Sequence, residues 1–169
     1  MVKRSILILI NTVAIFLTLF LLISCSKTEN AKKDNNKAIF SFWIYPIGTI
    51  EETYKFILFD DNTLQVSVGK RKENNNLEPL SLSRIDNQKK KILSDENVNN
   101  LMKLVKEIYS NKDIQTDSTE CDDVWVIKLS YKDKEIVQPC YEYTSQELEV
   151  FYNYLIELSP INVDMRGFA

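Results

Sequence analysis

The sequence predicts an α+β fold for the body of the chain: an antiparallel sheet with two α-helices packed on one face. Three observations lead to it. Several short stretches rich in Val, Ile, Phe, Tyr and Trp alternate apolar with polar residues, the period of strands. Two other stretches repeat apolar residues at three-four spacing, the period of helices. The order is strands, helix, hairpin, helix, which suits helices gathered on one side of an antiparallel sheet.

The first strand is expected in "AIFSFWIYPIG", dense in β-branched and aromatic residues and ended by Pro46 and Gly48. "TYKFILFDDNTLQVSVG" reads as a hairpin. Tyr54, Phe56 and Leu58 share one face, and Leu64, Val66 and Val68 share a face of the partner strand. Asp61-Asn62 between them tolerates left-handed backbone. After the charged run "KRKENNN", "LEPLSLSRI" predicts a weaker strand, with Pro79 suiting a sheet edge.

A helix follows, with Ser94 as N-cap and Asp95 and Glu96 in its first turn. Its stripe is Val98, Leu101, Met102, Val105, Ile108 and Tyr109. "VWVIKLSYKDKEIVQPCYEY" predicts a second hairpin around Lys132-Asp133, with Trp125, Ile127, Leu129 and Tyr131 on one face. The last helix opens on a capping box, Thr144-Ser145-Gln146-Glu147. Leu148, Phe151, Tyr152, Leu155 and Leu158 carry its stripe, and Pro160 follows its end. The closing "INVDMRGFA" reads as irregular, docked if at all through Phe168.

Upstream of this domain the chain has another character. Lys3 and Arg4 are the only charges before an apolar run from Ile6 to Ile23, the layout of an export signal. The run approaches the length of a membrane span, roughly 17–25 residues, so length alone leaves an uncleaved anchor helix open. Leu22-Ile23-Ser24-Cys25 resembles the lipobox of bacterial lipoproteins. That resemblance covers residues 1–25 only. It implies cleavage after Ser24, acylation of the Cys25 thiol, and attachment to the membrane of the cell envelope with the domain on the extracytoplasmic side. In this class an Asp after the Cys often signals inner-membrane retention. Ser26 stands there, which leaves outer-membrane sorting open in a cell with two membranes. An acyl chain contributes about 0.8 kcal/mol per buried CH₂, and stable anchoring takes more than one chain.

The expected organisation is therefore a signal peptide over 1–24, a lipidated Cys25 with a flexible tether over 25–38, and one α+β domain over 39–169. The polar run "SKTENAKKDNNK" has no apolar period, and a tether of that length reaches on the order of 20 Å.

Composition excludes several functions. Removing Lys3 and Arg4 with the leader takes the formal charge from −3 to −5. An acidic exported domain argues against nucleic acid as partner. Histidine is absent, so triads of the Ser-His-Asp or Cys-His kind cannot form. The 3 glycines, Gly48, Gly69 and Gly167, stand far apart and build no phosphate-cradling loop. Nothing calls for a cofactor.

Of the 3 cysteines, an acylated Cys25 leaves Cys121 and Cys140. An even remainder in an exported protein points to one disulfide, with two buried free thiols as the alternative. Antiparallel pairing about Lys132-Asp133 brings the two neighbourhoods together, and closing such a loop stabilises by roughly 3 kcal/mol.

Two clusters are candidate sites. The loop "DIQTDSTECDD" gathers Asp113, Asp117, Glu120, Asp122 and Asp123, oxygen ligands of the kind Ca²⁺ takes. Its spacing departs from the EF-hand pattern and lacks that pattern's glycine, so a solvated acidic loop is the plainer reading. The carboxylates Glu51, Glu52, Asp60 and Asp61 sit beside turns and make a poor glycosidase-like pair. Aromatics are the other concentration. Trp125 is expected in the core, whereas Tyr141, Tyr143 and Tyr154 are the candidate partner surface, since Tyr anchors interfaces at low entropic cost. The functional expectation is a non-enzymatic, membrane-anchored envelope lipoprotein whose domain binds another macromolecule, in assembly, inhibition or immunity to a toxin. The alternative is a small-ligand or ion-binding lipoprotein using the acidic loop or an aromatic pocket.

Overall fold

A computed structural model describes residues 36–46, 49–50, 52–72, 80–111, 125–138 and 145–165. Its strands are β1 (Ala38–Pro46), β2 (Thr53–Phe59), β3 (Thr63–Arg71), β4 (Leu82–Ile92), β5 (Trp125–Tyr131) and β6 (Lys134–Gln138). Its helices are α1 (Asp95–Ser110) and α2 (Gln146–Leu158). The fold is α+β, one antiparallel sheet in the order β4-β3-β2-β1-β5-β6.

One face of the sheet is the core. Phe40, Phe42 and Ile44 of β1, Tyr54, Phe56 and Leu58 of β2, Leu64 and Val66 of β3, and Trp125, Ile127 and Leu129 of β5 are all buried in one cluster. The helices bury their stripes in the same cluster, through Leu101, Val105 and Ile108 of α1 and through Leu148, Phe151, Tyr152, Leu155 and Leu158 of α2. Phe151 sits at the centre, edge-on to Phe42 at 5.3 Å and to Phe40 at 5.6 Å. Such edge-to-face pairs contribute about 0.5–1.5 kcal/mol beyond their burial.

The turns and caps follow from local chemistry. Asn62 takes φ 65° in the β2–β3 turn, where Thr63 N donates to Asp61 Oδ1 at 3.0 Å. Lys132 takes φ 55° in the β5–β6 turn, as the centre of the second hairpin requires. Ser94 caps α1 by accepting from Asn97 N at 3.2 Å. In α2 the capping residue is Ser145, which accepts from Leu148 N at 3.3 Å. That is one residue beyond the Thr144 start of the expected box, and Glu147 instead accepts from Asn111 Nδ2 at 3.0 Å.

Asn97 at the start of α1 meets Tyr154 late in α2, and Asn111 after α1 meets Glu147 early in α2. The two helices therefore run antiparallel. Part of the C-terminal segment docks on the core; Phe168 lies outside the described residues. Ile161 is buried, Val163 and Met165 pack on the core, and Trp125 Nε1 donates to Met165 O at 2.7 Å.

The largest departure from expectation is β4. It runs through Ile92 and takes in "DNQKKKI", a stretch without apolar alternation. Its register with β3 holds from Thr63↔Ile92 to Val68↔Asn87, then shifts at Val68/Gly69 and again at Lys70/Arg71. The strand exists because β3 offers it a ladder of backbone partners, whatever its side chains.

Candidate functional site

β4 is an edge strand, 11 residues long, and every residue after half-buried Leu82 is exposed. Edge strands carry unpaired N–H and C=O groups on their outer side and are usually kept short or bulged. Here both register shifts fall in the Leu82–Asp86 half, so the stretch from Asn87 to Ile92 is a straight, unbulged edge.

Pairing with β3 fixes where each side chain of this edge stands. Lys89 and Lys91 oppose Val66 and Leu64 and so lie on the helix side of the sheet. Lys90, Gln88 and Ile92 oppose Gln65, Ser67 and Thr63 and lie on the other side. Lys91 Nζ donates to Leu158 O at 3.1 Å, placing a cation at the C-terminus of α2, whose last turn holds no basic residue. Arg84 pairs with Asp86 at 2.7 Å, and its hydrogen bond holds the Asp86 carboxyl below the ordinary carboxylate value. Ser67 Oγ donates to Gln88 Oε1 at 3.0 Å. Ile85 and Ile92 are 53% and 78% exposed, apolar side chains left in water at a basic edge.

The face of the sheet away from the helices is also organised. Trp43 lies between Lys55 on β2 and Lys128 on β5, directly opposite both. Lys55 Nζ stands 4.6 Å over the Trp43 ring, and burial pushes its ammonium below the ordinary lysine value. Lys128 pairs with Glu135 at 2.9 Å. Arg71 stacks on Tyr45 at 4.4 Å and reaches the carbonyl of Thr49 at 3.2 Å. Trp43 and Val126 are buried on this face, which makes it a second, smaller packing layer.

β1 begins where β2 and β5 end, so the two hairpin turns flank its first residues. Between them is an open groove of ≈ 720 Å³ lined by residues that include Lys37, Phe40, Asp60, Tyr131, Lys132 and Asp133. Tyr131 stands between the Tyr109 ring at 5.6 Å and the Lys132 ammonium at 5.2 Å. Tyr109 Oη donates to Leu129 O at 2.9 Å and lies 3.1 Å from Lys134 O, and burial pushes its phenol up to about 12.

Of the residues singled out in the sequence, Cys25, Cys121, Cys140, the acidic loop Asp113, Asp117, Glu120, Asp122 and Asp123, and Tyr141 and Tyr143 lie outside the described residues. Tyr154 is described. Its ring packs against the core and its hydroxyl lies 2.9 Å from Asn97 Oδ1, bridging the helices. Among the described residues no group of three or more carboxylates or cysteines could hold a metal ion. No helix among them is long and apolar enough to cross a membrane. The β4 edge was invisible to apolar periodicity; the signal that could have found it is the run Lys89-Lys90-Lys91, a charge pattern common on exposed edges.

No protein-family model matches the chain. No curated protein matches it either.

Proposed function

We propose that the protein is a non-enzymatic envelope lipoprotein, tethered through an acylated Cys25, whose α+β domain binds another macromolecule. The anchor rests on the lipobox-like Leu22-Ile23-Ser24-Cys25 after its apolar run. The single observation that supports partner binding is the edge of β4, long, unbulged from Asn87 onward and uncovered. An edge of that kind offers backbone hydrogen bonds for affinity and alternate side chains for specificity. The absence of histidine from the sequence removes the commonest general base near neutral pH, which favours a binding role over catalysis.

The test has two parts. Mass spectrometry of membrane-extracted chain should find a terminus at Cys25 with acyl mass; an intact Met1 terminus would refute the anchor. Affinity capture with the full chain in detergent, against beads carrying no chain, should enrich a defined envelope component. Nothing enriched over background would sink partner binding.

The groove beside Tyr131 supports a second reading, a small-ligand or ion-binding lipoprotein. A ligand bound only by the folded state raises the melting temperature by mass action. A calcium titration that leaves the melting curve unchanged at millimolar concentration would remove the ion form of that reading.

A further inference from the structure

Resting on the partner-binding reading, we infer that the Asn87–Ile92 edge of β4 is a strand-addition site for an extended acidic segment of another protein. The backbone supplies the first half of the case. This stretch pairs with Thr63–Val68 without a register shift, so its outer N–H and C=O groups form a regular ladder roughly 20 Å long. None of its residues is covered.

Charge supplies the second half and selects the occupant. β4 carries Arg84, Lys89, Lys90 and Lys91 against the single carboxylate of Asp86, on a chain whose formal charge is −3. A second copy is a poor fit. Antiparallel self-pairing centred on Asn87 sets Lys90 against Arg84, and parallel pairing in register stacks lysine on lysine. Like charges directly opposite one another across a ladder are destabilising. The lysines thus repel neutral-to-basic edges, this chain's own included, and leave an acidic strand as the segment that gains from both ladder and charge.

Side-chain geometry sharpens the pattern. Lys89 projects on the helix side and Lys90 on the other, so carboxylates on either face of an added strand find a cation. Lys91 reaches Leu158 O at the end of α2, and Lys90 also has an interaction of its own within the chain. Ile92, 78% exposed, and Ile85, 53% exposed, give the added strand apolar contact on the side Lys90 faces.

The experiment uses the full chain in neutral detergent and three labelled dodecapeptides, alternating glutamate–threonine, glutamine–threonine and lysine–threonine. A fourth repeats the acidic peptide with alternate amides N-methylated, which removes ladder donors. The acidic peptide should bind about tenfold more tightly than the glutamine peptide and weaken with salt. Binding should slow amide exchange at Asn87–Ile92. The double variant Lys89→Glu/Lys90→Glu, checked for an unchanged melting temperature, should lose about tenfold and gain the lysine peptide.

Equal binding by the variant, equal binding by the N-methylated peptide, or protection elsewhere in the sheet would overturn the proposal. So would capture of the Cys25→Ala chain by phosphatidylglycerol vesicles through the same lysines with no peptide bound, which would make the edge a lipid contact. If the envelope component is captured equally by wild type and double variant, strand addition fails while partner binding stands.

Discussion

Gly69 is the position where one added carbon should detach part of the β4 edge. A Cβ built there meets Arg84 O at 2.0 Å, Ile85 Cα at 2.9 Å and Arg84 C at 3.0 Å. All three are backbone atoms of β4, so no side-chain rotation relieves the contact, and the strand itself must move outward. Gly69 pairs with Ile85 beside the register shift, where close approach of the two backbones needs a residue without Cβ. Two terms of opposite sign act in Gly69→Ala. Restricting the unfolded chain favours alanine by about 0.4–1 kcal/mol. Overpacking against a fixed neighbour costs about 1–3 kcal/mol. The second wins, for a net loss of about 1–2 kcal/mol, and β4 has almost no buried side chains to hold it once its ladder is displaced. The assay is amide exchange with a parallel melt. Exchange should accelerate across Leu82–Asp86, less across Asn87–Ile92, and the melting temperature should fall by several degrees. Unchanged exchange in β4 together with an unchanged or raised melting temperature would refute the steric argument.

Three further outcomes follow from the same structure. Phe151→Ala removes the ring that Phe40 and Phe42 meet edge-on and should cost about 3–5 kcal/mol, read from the denaturant midpoint; Phe151→Leu should lose distinctly less. Tyr109 has its phenol raised to about 12 in the fold, against 10.0 ordinarily, so the folded state holds its proton longer than the unfolded chain. Stability from this group is complete below pH 10 and is lost as pH rises towards 12; Tyr109→Phe should flatten that alkaline decline, measured by melts from pH 9 to 12. Lys91→Gln should destabilise the end of α2 by about 0.3–1 kcal/mol at low salt, an effect that added salt shrinks, whereas Lys89→Gln should not.

What could be read from sequence was what local chemistry decides. Alternation in Tyr54, Phe56 and Leu58, the three-four stripe from Leu148 to Leu158, the Ser94 cap and the Asp61-Asn62 turn each depend on residues within a few positions, and the structure places them as read. The lipobox-like leader is a linear pattern too, and it lies outside the described residues. The α2 cap missed by one residue because Thr144 and Ser145 are chemically alike at an N-cap, and only the helix axis chooses between them.

The tertiary structure decided the rest. β5 lies against β1 although 79 to 91 positions separate their partners, from Pro46↔Trp125 to Phe40↔Tyr131, and no local period encodes that choice. The Lys91 contact with the end of α2 joins residues 67 positions apart. Most of all, "DNQKKKI" is a strand because the free side of β3 satisfies its backbone while its side chains stay exposed. Apolar patterning reports only what a strand buries. An edge that buries nothing leaves no such trace, and its position is set by where the rest of the sheet ends.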